Sequence, residues 1–406
     1  MPNLLYITYD YYPSASVAAK RAAKFCKYLP AYEFRPIVLT VKEQFYDAID
    51  PTLDSNGVPT YRTSILKSHR PTEPTNVLPR LSYYLLRIIE KHAFPDPYIF
   101  WVPFAYKMAK TILARHQVDL IYATGPWFSS FFLGHLLKKN YGIPLVIEFR
   151  DQWSLNVVYR RGMRAKLHTH CDLKILQVAD KVIFASEGFL REYQACYSNV
   201  DFSKATVIPN GFDPDDFAAS NGSKSNRFTI TYAGNFYWPR TPDNFLKALL
   251  ELKIEGKINA DNFKFLSLGN LDESMVCWPE IKDVLELKNL QSHKETLMYL
   301  SGSDLLLLIV APGHEANIPA KLYEYLAADK PILLLSPKGA TSAKIIRETE
   351  RGLIANINDI ADIKAKLYQM VRTIQTSSCA FDGDKVAKYS CLRTTEQLAD
   401  ELAMLC

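Results

Sequence analysis

The chain has 406 residues, 48% hydrophobic and 22% charged, enough for two or three ordinary globular domains and too apolar for a disordered or collagen-like chain. Its seven cysteines, Cys26, Cys171, Cys196, Cys277, Cys379, Cys391 and Cys406, are scattered and form no CxxC or Cys/His grouping. That excludes a zinc-finger site and a disulfide scaffold. The net charge is +5; residues 1–220 carry 26 Lys and Arg against 20 Asp and Glu, and residues 221–406 carry 22 against 23.

The first residues, Met1 to Asp10, lack the basic stretch and small-residue cleavage site of a secretory leader. The longest apolar run, Leu305 to Pro312, is far short of the roughly 20 residues of a membrane span. The expected setting is the cytoplasm, with the inner membrane face as a possible station. A surplus of six cations over 220 residues is too small for a nucleic-acid-binding domain.

In chain order, Leu4 to Tyr9 predicts a buried strand, Val17 to Tyr28 a helix and Pro36 to Thr40 a second strand. Residues 82–93 and 103–116 read as helices, Leu120 to Ala123 as a strand and 128–139 as a helix. Leu145 to Phe149 is a strand, 164–178 a helix, Lys181 to Ala185 a strand, and Thr206 to Ile208 the last strand of the half. Within residues 82–93, Tyr83 to Ile89 is read as a buried helix, with a place at a membrane interface as the alternative. Arg160, Arg161, Arg164 and Lys166, near His168 and His170, form the densest basic cluster. It is read as a solvated face, or else as a seat for anionic headgroups or a pyrophosphate.

From Gly211 to Arg227 the chain is polar and aperiodic, which marks a linker over 211–227. Thr229 to Ala233, Phe263 to Leu268, Leu305 to Val310 and Ile332 to Leu335 then predict strands. Helices are predicted at 242–254, 293–302, 319–328 and 341–350. Strands without alternation, separated by helices, predict parallel sheets covered on both faces. The expected fold class is α/β, with two Rossmann-like doubly wound domains facing across a cleft. The boundaries are 1–210 and 228–385, with a C-terminal helix near 386–406 returning to the first domain.

No G-x-G-x-x-G follows the first strand, where Asp10-Tyr-Tyr-Pro-Ser-Ala-Ser-Val-Ala-Ala19 stands, and no P-loop occurs. This removes the usual dinucleotide and ATP fingerprints. The second half offers Asn317-Ile-Pro-Ala-Lys-Leu-Tyr-Glu-Tyr-Leu-Ala-Ala-Asp-Lys-Pro-Ile332. Pro319 is placed at a helix start, where free backbone N–H groups suit an anion. Lys321 stands in the first turn, and Glu324 could accept from a ribose diol. A plain surface helix with an i,i+3 Lys–Glu pair fits these residues equally well.

Further segments extend this pattern: Tyr232-Ala-Gly-Asn-Phe236, Ser292 to Tyr299 with Gly302-Ser-Asp304, Lys330-Pro-Ile332, Glu148-Phe-Arg-Asp-Gln-Trp153, and Ile208-Pro-Asn-Gly-Phe212. With these in order along nearly its whole length, the chain resembles the GT-B-fold glycosyltransferases, and most closely glycosyltransferase family 4 in its bacterial polysaccharide branch. The resemblance implies that Glu324 binds the nucleotide ribose and that Ile318, Pro319, Ala320 and Lys321 lie along the donor diphosphate. Gly234 and Asn235 would let the backbone approach the phosphates, and Arg240 would supply a cation. Ser267 to Asn270, including Gly269, and Gln291 to His293 would lie near the base. Where the family carries its first motif glutamate this chain has Ala316, with Glu315 beside it as a possible substitute. Ser14-Ala15-Ser16, followed by Lys20 and Arg21, replaces the paired glycines of many relatives.

Asp151, at the C-terminal end of the 145–149 strand, is the candidate general base; an N-cap role or a salt bridge with Arg150 is its alternative. Pro126 and Trp127 could stack on an acceptor sugar, whereas His135 reads as a core histidine. The implied activity is metal-independent, retaining hexosyl transfer from a UDP-, GDP- or dTDP-linked sugar, with no other cofactor. The acceptor would be a glycan or lipid-linked hydroxyl in surface polysaccharide assembly, with peripheral membrane association. Alternatives are a catalytically impaired sugar-nucleotide-binding partner subunit and a sugar-nucleotide epimerase of the same fold.

Overall fold

The computed structural model describes the chain except residues 56, 68–76, 157–158, 161, 219–221, 272–275 and 377–381, and the side chains of 77–82 and 85. Two compact units result: Met1–Pro209 with Thr394–Cys406, and Asn210–Arg393. Among the described residues no helix is long and apolar enough to cross a membrane.

In the first unit the strands are β1 (Asn3–Ile7), β2 (Arg35–Val41), β3 (Thr60–Thr63), β4 (Leu120–Gly125), β5 (Leu145–Phe149), β6 (Lys181–Phe184) and β7 (Ala205–Val207). Its helices are α1 (Val17–Tyr28), α2 (Val77–Lys91), α3 (Val102–Arg115), α4 (Ser129–Tyr141), α5 (Ala165–Val178) and α6 (Glu187–Cys196). The second unit has α7 (Pro214–Ala218), β8 (Phe228–Ala233), α8 (Asp243–Ile254), β9 (Phe263–Leu268), β10 (Leu285–Lys288), α9 (His293–Ser301) and β11 (Leu305–Ile309). There follow α10 (Lys321–Ala327), β12 (Ile332–Ser336), α11 (Thr341–Thr349), β13 (Gly352–Asn356), α12 (Ile360–Thr376) and α13 (Gly383–Ala387); α14 (Cys391–Ala403) belongs to the first unit from Thr394 onward.

Both sheets are parallel, ordered β3-β2-β1-β4-β5-β6-β7 and β10-β9-β8-β11-β12-β13. The apolar runs explain them: Leu4, Leu5, Tyr6 and Ile7, like Leu305 to Ile309, are buried on both sides, as helices packed on each face require. Each order reverses beside its first strand, at β1/β4 and at β8/β11. Loops leaving the C-terminal ends of those strands frame the crevice where doubly wound sheets bind ligands.

The end of the chain belongs to the first unit. Leu398, Ala399 and Leu402 of α14 pack with Leu4, Tyr6 and Ile208, and Thr206 donates to Glu401 at 2.7 Å. Also in this unit, Arg21 donates Nε to Glu148 at 2.8 Å and its terminal nitrogens to the carbonyls of Ile208 and Pro209. Thr124 supplies a further hydrogen bond to Glu148. Burial opposes the Glu148 charge, yet Arg21 and Arg150 hold its carboxyl below the usual range. Arg21→Ala would leave that carboxylate buried and unpaired, so we expect a loss of about 3–5 kcal/mol in urea unfolding. A loss under 1 kcal/mol would refute this account.

Several expectations change. The polar stretch 211–227 contains the short helix α7, because Pro214 and the acidic pair Asp215 and Asp216 suit a helix start. Helix α10 begins at Lys321, two residues after Pro319, and Pro319 instead sits in the lead-in turn, its carbonyl accepting from Leu322 N–H. Helix α2 is not a buried helix: Tyr84 and Arg87 to Ile89 are exposed, and Tyr83, Leu86 and Glu90 are only half-buried. Of the basic cluster, Arg161 lies outside the described residues.

Candidate functional site

In the second unit the loops after β8 and β11 meet at the point of reversal. Gly234 follows β8 at φ +123°, and a Cβ there would lie 2.7 Å from Lys321 Nζ. Only glycine lets the ammonium come this close to the backbone. Lys321 Nζ also sits 4.0 Å from the centre of the Tyr232 ring, a cation–π contact. Ala233 N–H donates to Tyr325 hydroxyl at 3.0 Å, tying β8 to α10. Burial, then the Arg240 charge, push Lys321 down to about 7, against a smaller upward pull from Glu324.

The β8 loop is rigidly held. Asn270 accepts from Phe236 N–H at 2.7 Å and donates to Phe236 carbonyl at 2.8 Å. A Cβ on Gly269 would fall 2.2 Å from the Gly234 carbonyl oxygen and 3.2 Å from Asn235 Oδ1. Gly269 thus works by backbone approach, and Asn270 is a loop clamp. Arg240 stacks its guanidinium 4.2 Å from the Tyr237 ring centre, and its buried Nε makes no hydrogen bond among the described residues.

On α10, Glu324 faces His293 of α9: Nδ1 lies 3.8 Å from Glu324 Oε1, and Nε2 lies 3.4 Å from Asp216 Oδ2 of α7. His293, expected near the base, therefore stands beside the carboxylate expected to hold the ribose. Ile318, Pro319 and Ala320 form the half-buried lead-in to Lys321. Glu315 turns back on its own loop, its Oε1 accepting from Gly313 N–H at 3.0 Å. Ala316 is buried.

The first unit's reversal point is framed by the loops after β1 and β4, flanked by the segment after β5. Three acceptor-side residues expected there serve as structure. Ser16 caps α1, accepting from Ala19 N–H at 3.1 Å. Ser14 is buried and donates to Asp10 at 3.2 Å. Arg150 donates to the carbonyls of Gly125 (3.2 Å), Ala18 (2.7 Å) and Pro126, fastening α1 and the β4 loop to the end of β5. Trp127 packs on Tyr98 with ring centres 4.3 Å apart.

Asp151 is held at the end of β5 by its neighbours. Trp153 N–H donates to Tyr193 hydroxyl at 2.9 Å, Trp153 Nε1 to His168 at 3.0 Å, and Ser154 N–H to Asp172 at 3.1 Å. Burial raises Asp151 to about 6, with Arg150 pulling the other way. Asp10, after β1, is also raised by burial and opposed by Arg150. This second carboxylate was not singled out from the sequence; its place at the end of the first strand is the signal that could have found it.

Residues 60–216 match the model of Glycosyltransferase Family 4. No curated protein matches the sequence. Among solved structures, the chain is similar to a sucrose-phosphate synthase from Thermosynechococcus elongatus, at 15% identity and TM-score 0.67 over 100% of this chain and 99% of that one. A glycosyltransferase from Rickettsia africae ESF-5 aligns at 14% identity and TM-score 0.63, over 100% and 98%. An alpha,alpha-trehalose-phosphate synthase (UDP-forming) from Burkholderia vietnamiensis aligns at 11% and 0.68, over 100% and 98%. The family model thus covers residues 60–216, and the likeness over the whole length shows that the chain has the two-unit fold of these glycosyltransferases.

Proposed function

We propose that the protein moves a hexosyl group from a nucleotide-diphosphate sugar to a hydroxyl of a glycan or lipid-linked acceptor in surface polysaccharide assembly. The observation that carries this reading is half-buried Lys321, its ammonium pressed against Gly234, with Arg240 and Glu324 beside it, at the reversal point of the second sheet. Two cations that disfavour each other's charge, next to backbone that a Cβ would block, suit a diphosphate. Glu324, steadied by His293, takes the ribose hydroxyls. As the sugar–oxygen bond breaks, Lys321 and Arg240 stabilise the leaving diphosphate without a metal ion. Asp151 of the first unit removes the acceptor proton. Retention of configuration is carried over from the family resemblance.

The UDP-forming synthase among the similar structures makes UDP and UDP-sugars the first members of a panel with GDP, dTDP and CMP compounds, read by thermal shift. Glu324→Ala should weaken the preferred nucleotide at least tenfold while leaving the unliganded melting temperature in place. Unchanged affinity would overturn the ribose assignment. One observation favours a second reading, a sugar-nucleotide-binding partner without transfer: Ala316 is buried where the family's first glutamate would stand, and Glu315 is engaged by Gly313. Donor binding with neither hydrolysis nor transfer across acceptors would select it.

A further inference from the structure

The turn after β8 holds an aromatic ring out in solvent. Trp238 is 87% and Tyr237 54% exposed, whereas the other four tryptophans, Trp101, Trp127, Trp153 and Trp278, are buried or half-buried. The turn is braced on both sides of Trp238. Before it, Phe236 is buried, stacks on Tyr232 with ring centres 4.2 Å apart and has both backbone groups held by Asn270. After it, Pro239 has a fixed φ, and the Arg240 carbonyl accepts from Tyr237 N–H at 3.0 Å. Tryptophan is among the side chains that most often anchor a binding contact, and the place of this one decides what it meets.

Arg240, two residues on, is near enough to Lys321 to disfavour its charge, so the turn borders the proposed diphosphate seat. Lys321, Arg240 and Glu324 are half-buried, and a donor gripped by them leaves the exposed indole outside. Nor does the nucleoside reach it. Phe236 packs with Phe245 and Leu246 of α8 on one face of the sheet, and α9 and α10 cover the other. Glu324 and His293, which mark the ribose, belong to that other face. What remains is the acceptor, whose hydroxyl must come within about 3–3.5 Å of the sugar carbon bonded to the diphosphate and so passes this rim. Indole has a broad apolar face, one N–H and two side-chain torsions to freeze. That suits a pyranose, with apolar C–H groups on one face and hydroxyls around its edge, and offers nothing to a bare phosphate.

We infer that Trp238 is the platform on which a sugar ring of the acceptor stacks, so that the second unit helps to select the acceptor. The inference rests on the proposed donor seat. It narrows the acceptor from a hydroxyl of a glycan or lipid-linked molecule to one that presents a pyranose at the point of transfer.

The test is saturation-transfer-difference NMR of the full chain, saturated with whichever of UDP, GDP, dTDP or CMP raises its melting temperature. The probes are the methyl α- and β-pyranosides of glucose, galactose, mannose and N-acetylglucosamine. At least one should bind, with the strongest signals on the C–H groups of one ring face, and should shield Trp238 fluorescence from acrylamide. Trp238→Ala should weaken that glycoside about tenfold or more, and Trp238→Phe should restore most of the affinity. Both variants should keep the melting temperature and the nucleotide affinity of the parent. A parent that binds nucleotide but no glycoside overturns this inference alone, as does a glycoside affinity that Trp238→Ala leaves intact. Loss of nucleotide affinity in Trp238→Ala also overturns it, by placing the ring on the donor. A parent that binds no nucleotide overturns the donor reading and takes this inference with it.

Discussion

Lys321→Met should abolish transfer, lowering donor affinity ten- to a hundredfold and kcat by a further 10²–10³-fold. The first factor is a charge-assisted hydrogen bond to a phosphate oxygen, about 1.5–3 kcal/mol. The second is stabilisation of charge that grows on the diphosphate as the sugar leaves. The same substitution should make the unliganded protein more stable. Folding lowers the ammonium from its ordinary value of 10.5 to about 7, so at and below pH 7 the folded state carries a penalty on the order of a few kcal/mol. The penalty grows as pH falls from the unfolded value to about 7, and methionine removes it. A variant that melts higher yet binds no donor separates this account from simple misfolding.

The same residue sets a pH signature. A diphosphate beside Lys321 opposes both causes of the depression, so bound Lys321 holds its proton to higher pH than free Lys321. Donor binding therefore takes up a proton above about pH 7, and affinity falls toward tenfold per pH unit there. Calorimetry in two buffers of different ionisation enthalpy would show uptake near one proton at pH 8 and near none at pH 6. Lys321→Met should flatten this dependence; uptake that survives the substitution would assign the proton elsewhere.

Asp151→Asn should leave nucleotide affinity within twofold while cutting the transfer rate 10²–10⁴-fold, the usual range for loss of a positioned general base. Burial places Asp151 at about 6, so the parent rate should fall tenfold per unit as pH drops below about 6, where the base becomes protonated. In the variant that acidic limb should vanish with the rate. Asp10→Asn is the control: Asp10 is already engaged with Ser14, and its replacement should keep the limb. Full activity in Asp151→Asn would remove Asp151 from the chemistry.

What the sequence made legible follows from burial. Strands sunk on both faces must be continuous apolar runs, so β5 and β9 stand at their predicted limits and β8, β11 and β12 within a residue of theirs. The strands that escaped notice lie at or near sheet edges. Thr60-Tyr-Arg-Thr63 and Leu285-Glu-Leu-Lys288 are four-residue edge strands, half-buried at nearly every position, and β13 is half-buried at all but Ala355. Only pairing with a neighbour makes them strands.

The site divides in the same way. Residue type and order brought attention to Gly234, Lys321 and Glu324, which the fold gathers at one loop junction. Type could not reveal whether a side chain's bonding capacity is already used. Ser16 is consumed by a helix cap, and Arg150 by three carbonyls from two other segments. His293 shows the converse, for its neighbours Asp216 and Glu324 lie 77 and 31 residues away along the chain, and only the tertiary fold brings them to one ring.

The path of the chain has a consequence for biosynthesis. Because Leu398, Ala399 and Leu402 fill the core of the first unit, that unit lacks part of its interior until residues 394–406 leave the ribosome. The second unit, Asn210–Arg393, is a single uninterrupted segment and has all its strands earlier. The half made first is thus the half finished last, and a nascent chain halted before residue 394 would display an unfilled apolar surface to chaperones and proteases.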